Sequence, residues 1–156
     1  MPRVLQRQDV PTSIRSLTPM EPDYVDLFTI SSSGASDASA EEWAQAGLDQ
    51  AAGLAGQFVW RVVLGLRLGS RRSQSHIGGW TIADRGKGWV RLEAASWCMT
   101  AHLVVFVEDD RVSAATFVHY DRPIAAVVWS RLAPVHRRAM PGLLRRAVRV
   151  REKARR

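Results

Sequence analysis

The chain has 156 residues, yet it holds one cysteine, two lysines and no asparagine. A lone thiol, Cys98, excludes an internal disulfide and a thiolate metal cluster, and it fits a reducing compartment. No stretch approaches the ~20 uninterrupted apolar residues of a membrane-spanning helix. The best candidate, residues 58–68, is broken by Arg61 and Arg67. Residues 1–19 lack the apolar core of a secretory leader. The expected location is therefore cytoplasmic. Twenty arginines against two lysines read as GC-rich coding bias before functional selection.

What is present is enough for one core. Hydrophobic residues make up 46% of the chain, which excludes wholesale disorder and fits a single domain. The net charge of +7 is uneven: residues 131–156 carry ten basic groups and one acid, whereas the rest carries twelve basic and fourteen acidic groups. Basicity is thus a C-terminal feature. The expected organisation is a loose, proline-containing arm over 1–22, one domain over 23–152 and a basic tail over 153–156.

Alternating hydrophobicity predicts five strands: residues 24–30, 78–84, 89–97, 101–107 and 111–120. Asp84-Arg-Gly-Lys-Gly88 and Glu108-Asp-Asp110 supply turns between them. Ser39 stands three residues before Glu42, a capping box that opens a helix ending near Gly53. A second helical run covers 57–68. From Asp121 the pattern turns helical, with Asp121 as cap and Pro123 in the first turn. Pro134 and Pro141 predict bent pieces, roughly 123–132 and 134–152.

Through these turns, one sheet face collects Val90, Leu92, Ala94, Leu103, Val105, Val107, Val112, Ala114, Thr116 and Val118, and must be covered. The opposite face is mixed and carries Glu93, His102 and His119. An apolar stripe of Ile124, Val128, Leu132, Val135, Ala139, Leu143, Ala147 and Val150 supplies the cover, with Trp129 and His136 on its margin. The fold class is α+β, a curved antiparallel sheet wrapped around a long C-terminal helix.

Four strings carry a family resemblance: PDYVDLFTI (22–30), WRVVLGLRLG (60–69), GGWTIADRG with WVRLEAASWCMTAHLVV (78–105) and PVHRRAMPGLLRR (134–146). They resemble the proteins grouped as domain of unknown function 2867, which in turn resembles the START-like, helix-grip superfamily of polyketide cyclases and lipid-binding proteins. The resemblance spans about residues 22–148. It implies a sheet gripping a C-terminal helix around a hydrophobic cavity, and it carries over no catalytic residue.

His136, on the apolar side of the roofing helix, is the first candidate for a functional polar group; the alternative is a buried histidine donating to a strand carbonyl. Trp80 and Trp129 suit a cavity wall or ordinary packing. Trp89 and Trp97, on the outer face, suit a subunit contact or cover by the arm. Glu93, His102 and His119 make either an acid–base or metal cluster or a cross-strand polar patch, and three ligands fall short of a structural zinc set. Cys98 reads as a small apolar residue rather than a nucleophile. Arg71 and Arg72 with Ser70, Ser73 and Ser75 form a basic loop that fits a phosphate or solvent.

The arginine-rich C-terminus fits an anionic surface or the polar face of the helix. It lacks aromatic interleaving and any nucleic-acid motif. No cofactor or metal is expected: G-x-G-x-x-G is absent, and Glu93, His102 and His119 supply three metal ligands at best. Three function classes follow: binding of a small apolar or amphipathic ligand, with Trp80, Trp129 and His136 as lining; cyclase- or lyase-like proton transfer by His136 as acid or base; and docking on anionic lipid or nucleic acid through the arginine-rich C-terminus, as a peripheral membrane contact in the first case. A homodimer also fits.

Overall fold

The computed structural model describes residues 3–51, 72–73 and 75–156. The second helical run expected over 57–68 lies outside the described residues. Among the described residues, eight strands form one antiparallel sheet: β1 (Val4–Arg7), β2 (Tyr24–Ser31), β3 (Arg72–Ser73), β4 (His76–Ile77), β5 (Trp80–Gly86), β6 (Trp89–Ala95), β7 (Met99–Glu108) and β8 (Arg111–Tyr120). Their order is β1-β2-β8-β7-β6-β5-β4-β3. The sheet is curved and unclosed, and a long helix, α3 (Ile124–Ala154), packs on one face. The layout is α+β and helix-grip-like. No helix among the described residues is long and apolar enough to cross a membrane.

All five expected strands are present. The β6–β7 and β7–β8 registers place Val90, Leu92, Ala94, Leu103, Val105, Val112 and Ala114 on one buried face. The β5–β6 turn needs its glycines. Gly88 has φ 77°, and a Cβ on Gly86 would lie 2.3 Å from the Trp89 indole nitrogen, so the ring packs over bare backbone. Ser39 caps α2 (Ala40–Gln45), accepting from Glu42 N at 3.1 Å. The other half of the capping box is diverted: the Glu42 carboxylate pairs with Arg151 at 3.0 Å and ties α2 to the end of α3. π-helical turns over Ala46–Ala51 continue α2 against α3.

The helix differs from the sequence expectation in continuity and in phase. It runs through Pro134 and Pro141 without interruption, although an interior proline costs about 3 kcal/mol; Ala133, Met140 and Leu144 beside them are buried, and their packing holds the rod together. Its buried residues are Ala125, Trp129, Ala133, Met140, Leu144, Ala147 and Val148. That stripe is turned by roughly one residue (~100°) from the expected one. Ile124 and Val135 face outward instead, because small alanines let the helix lie close to the sheet while Trp129 fills the gap. Asp121 does not cap α3; its carboxylate accepts from Thr100 Oγ1 at 2.8 Å.

Residues read as a loose arm are packed. β1 pairs with β2, and α1 (Thr12–Arg15) is followed by a crossing over the outer sheet face. There Ile14 and Met20 pack with Leu27, Val104, Ala115 and Phe117. The mixed face expected to meet solvent is therefore partly covered, as a sheet with Val104 and Phe117 on that side requires. Ile14→Ala is expected to lower the unfolding free energy in urea by about 2–5 kcal/mol, as a buried isoleucine does. A change within about 0.5 kcal/mol, typical of an exposed site, would show that the segment contributes no packing.

Candidate functional site

Two apolar clusters lie between the sheet and α3. One joins Cys98, Met99 and Val118 to Ala125, Trp129 and Ala133; the other joins Phe28, Leu92, Leu103 and their neighbours to Met140, Leu144 and Val148. His136 falls on α3 between Ala133 and Met140, so it stands at the seam between them. Opposite it on β2 is Asp26, whose side chain has 0% exposure. Alternation puts Asp26 on the same face as Tyr24 and Phe28. Its partner across the β2–β8 ladder is Thr116, also buried.

His136 Nε2 lies 2.9 Å from Asp26 Oδ2. That is within ion-pair distance, but the ring nitrogen makes no aligned hydrogen bond. The Tyr24 hydroxyl donates to the same Oδ2 at 2.7 Å, and an Arg137 N–H donates to the Tyr24 oxygen at 3.3 Å. Burial, then the hydrogen bond to the Asp26 carboxylate, raises the Tyr24 phenol well above its ordinary value, against the lowering influence of Arg137. It therefore remains a protonated donor at neutral pH. Trp129 meets Tyr24 edge-on at 5.2 Å and tilts against the His136 ring at 5.5 Å.

Several polar atoms of this group have no hydrogen-bond partner: Asp26 Oδ1, Thr116 Oγ1, Trp129 Nε1 and His136 Nε2. The side chain of His136 remains 21% exposed, so solvent reaches one end of an otherwise buried polar group. Of the three expected lining residues, the fold thus brings Trp129 and His136 together. Trp80, also buried, belongs to the other cluster, with Ile77, Trp43 and Leu48. Asp26 is the residue that sequence reasoning passed over. The signal was an acid at an inward position of an otherwise apolar strand face.

The second expected cluster splits in two. His102 Nε2 contacts Glu93 Oε1 at 3.1 Å, and its Nδ1 lies 2.6 Å from Thr18 Oγ1. A proton on Nε2 facing the carboxylate leaves Nδ1 to accept from the threonine, whose oxygen in turn accepts from Met20 N. His119 Nδ1 instead lies 2.9 Å from the Glu21 carbonyl and 3.4 Å from Asp23. Both imidazoles, with Pro19, Met20, Glu21 and Thr100, line an outer-face hollow of about 270 Å³. No group of three metal-ligating side chains occurs among the described residues. The hollow's polar atoms already serve the N-terminal segment, which leaves little to orient a ligand.

Cys98 is buried, with its sulfur 3.7 Å from Ser96 Oγ, and it packs as a small apolar residue. Trp97 is 60% exposed and Trp89 is half-buried. Of the basic loop, Ser70 and Arg71 lie outside the described residues, and Arg72 and Ser73 form β3. The tail is engaged: Arg155 ion-pairs with Asp37 at 3.2 Å and donates to the Ser33 carbonyl.

Burial lowers the pKa of His102, opposed by Glu93 and assisted by Arg91. In the window below about 6.5, the unfolded chain binds this proton before the folded one does. Stability should therefore fall as pH drops through and below that value. The urea midpoint of the protein is expected to decrease between neutral and mildly acidic pH, and His102→Gln should shrink that decrease. An equal decrease in both proteins would exclude His102 as its source. No protein-family model, curated protein or solved structure matches the chain.

Proposed function

We propose that the chain binds a small molecule at the seam between sheet and α3. The ligand's polar group meets the Asp26–His136 pair, and its apolar body lies against Trp129. The observation that carries this reading is the fully buried Asp26 carboxylate, whose Oδ1 has no partner beside an equally unpartnered Thr116 hydroxyl. Leaving buried polar atoms unsatisfied costs about 1–3 kcal/mol each, and native interiors avoid it. A ligand hydroxyl or ammonium would satisfy both atoms. The reading also agrees with the expectation drawn from the domain of unknown function 2867 and its helix-grip relatives. The substrate class that fits is an amphipathic molecule with a hydrogen-bond donor at one end.

A second reading rests on the same pair. An imidazole 2.9 Å from a buried carboxylate is arranged to take up a proton, because the carboxylate stabilises the imidazolium that forms. The Tyr24 hydroxyl, which donates to the same carboxylate, holds Asp26 in position to face the imidazole. Together they fit cyclase- or lyase-like proton transfer with His136 as acid or base.

Native mass spectrometry of the purified protein tests the first reading. A bound small molecule is expected, and the milder changes Trp129→Phe and His136→Gln should lower its occupancy while a cooperative melting transition remains, at a lower temperature. Only the bare polypeptide mass, together with no saturable binding of the apolar probe anilinonaphthalene sulfonate, would overturn it. For the second reading, the extracted molecule should be converted by the parent protein and not by His136→Gln. Equal conversion would remove His136 from the chemistry.

A further inference from the structure

The described residues expose five large hydrophobic side chains: Leu5, Trp97, Ile124, Val127 and Val135. Three of these, at 44%, 49% and 58% exposure for Ile124, Val127 and Val135, stand on the first half of α3. Their spacing, with Arg131 and Arg138, follows the helical repeat and places all five residues on one stripe. That stripe faces away from the buried one. Trp97 adjoins its start, because the Cys98 carbonyl accepts from both Asp121 N and Arg122 N and seats the β6–β7 turn against the head of α3.

Charge marks the same surface. Several exposed arginines elsewhere have carboxylate partners: Arg7 with Asp9, Arg85 with Glu41, Arg111 with Glu108 and Arg155 with Asp37. Arg122, Arg131 and Arg138 are exposed and make no ion pair among the described residues. No acid occurs between Asp121 and Glu152 in the sequence. Unneutralised guanidinium groups thus alternate with exposed aliphatic side chains, beside an exposed indole. A nucleic acid would match the charge but not the valines, and an apolar protein face would match the valines but not the charge. An anionic phospholipid bilayer matches both, since aliphatic groups and the indole enter the headgroup boundary while arginines meet phosphates.

We propose that the outer face of the first half of α3, from Arg122 to Arg138 together with Trp97, docks on an anionic membrane surface. The contact is peripheral. It lies on the far side of α3 from the Asp26–His136 seam and stands whether or not that seam binds a ligand. It also differs from docking through the C-terminal tail, whose Arg151 and Arg155 are tied down by Glu42 and Asp37.

Cosedimentation of the full chain with vesicles tests the proposal, using phosphatidylcholine alone and phosphatidylcholine mixed with phosphatidylserine. Binding is expected only to the mixed vesicles, and it should weaken as salt is raised. Replacing Arg131 and Arg138 by alanine should reduce the partition coefficient about fivefold for each arginine removed. Val127→Asp and Trp97→Ser should each reduce it further, and all variants should keep the parent melting temperature because the sites are exposed. Three results would overturn the proposal: no binding to the mixed vesicles, binding indifferent to Val127→Asp, or self-association of the chain that Val127→Asp abolishes.

Discussion

A carboxylate with no exposed surface must be stabilised where it stands, and Asp26 imposes that requirement on the middle of this fold. Its charge is met from three directions: His136 on α3, the Tyr24 hydroxyl on its own strand, and, through Tyr24, the guanidinium of Arg137. These contacts fix the rotation of α3 on the sheet. Turning the helix by one residue would carry His136 away and leave the buried carboxylate with the Tyr24 hydroxyl as its remaining partner. The polar seam and the buried alanines of α3 select the same phase.

The sheet was legible in the sequence because its signal repeats. Val90, Leu92 and Ala94 alternate against Leu103, Val105 and Val107, and short turns fix the register between them. The phase of α3 was not legible. Hydropathy favours the stripe containing Ile124 and Val135, whereas the fold buries alanines at 125, 133 and 147, whose value lies in close approach rather than in transfer energy. The prolines misled for a related reason: they report a lost backbone bond, and nothing local reports the packing that outweighs it.

The N-terminal segment was illegible because its contacts are few and distant. β1 has four residues and only one half-buried side chain, so no alternation marks it. Ile14 and Met20 become core residues only once β7 and β8 are present to receive them. The cover they form also decides the character of His102. The same ring on an open sheet face would be a solvated group; under Thr18 and beside Glu93 it becomes a buried neutral one. At the candidate site, Trp129 and His136 were readable from the helix, whereas Asp26 required knowing that the strand's inward face meets that helix rather than solvent.

β1 precedes β2, but the other partners of β2 come late in the chain. Tyr24 meets Arg137 across 113 positions, and Thr29 meets Ser113 across 84. During synthesis the strand bearing Asp26 leaves the ribosome long before α3 brings His136 and Arg137 to it. Non-local pairing of this kind slows folding. The layer around Asp26 can close only once α3 has been made.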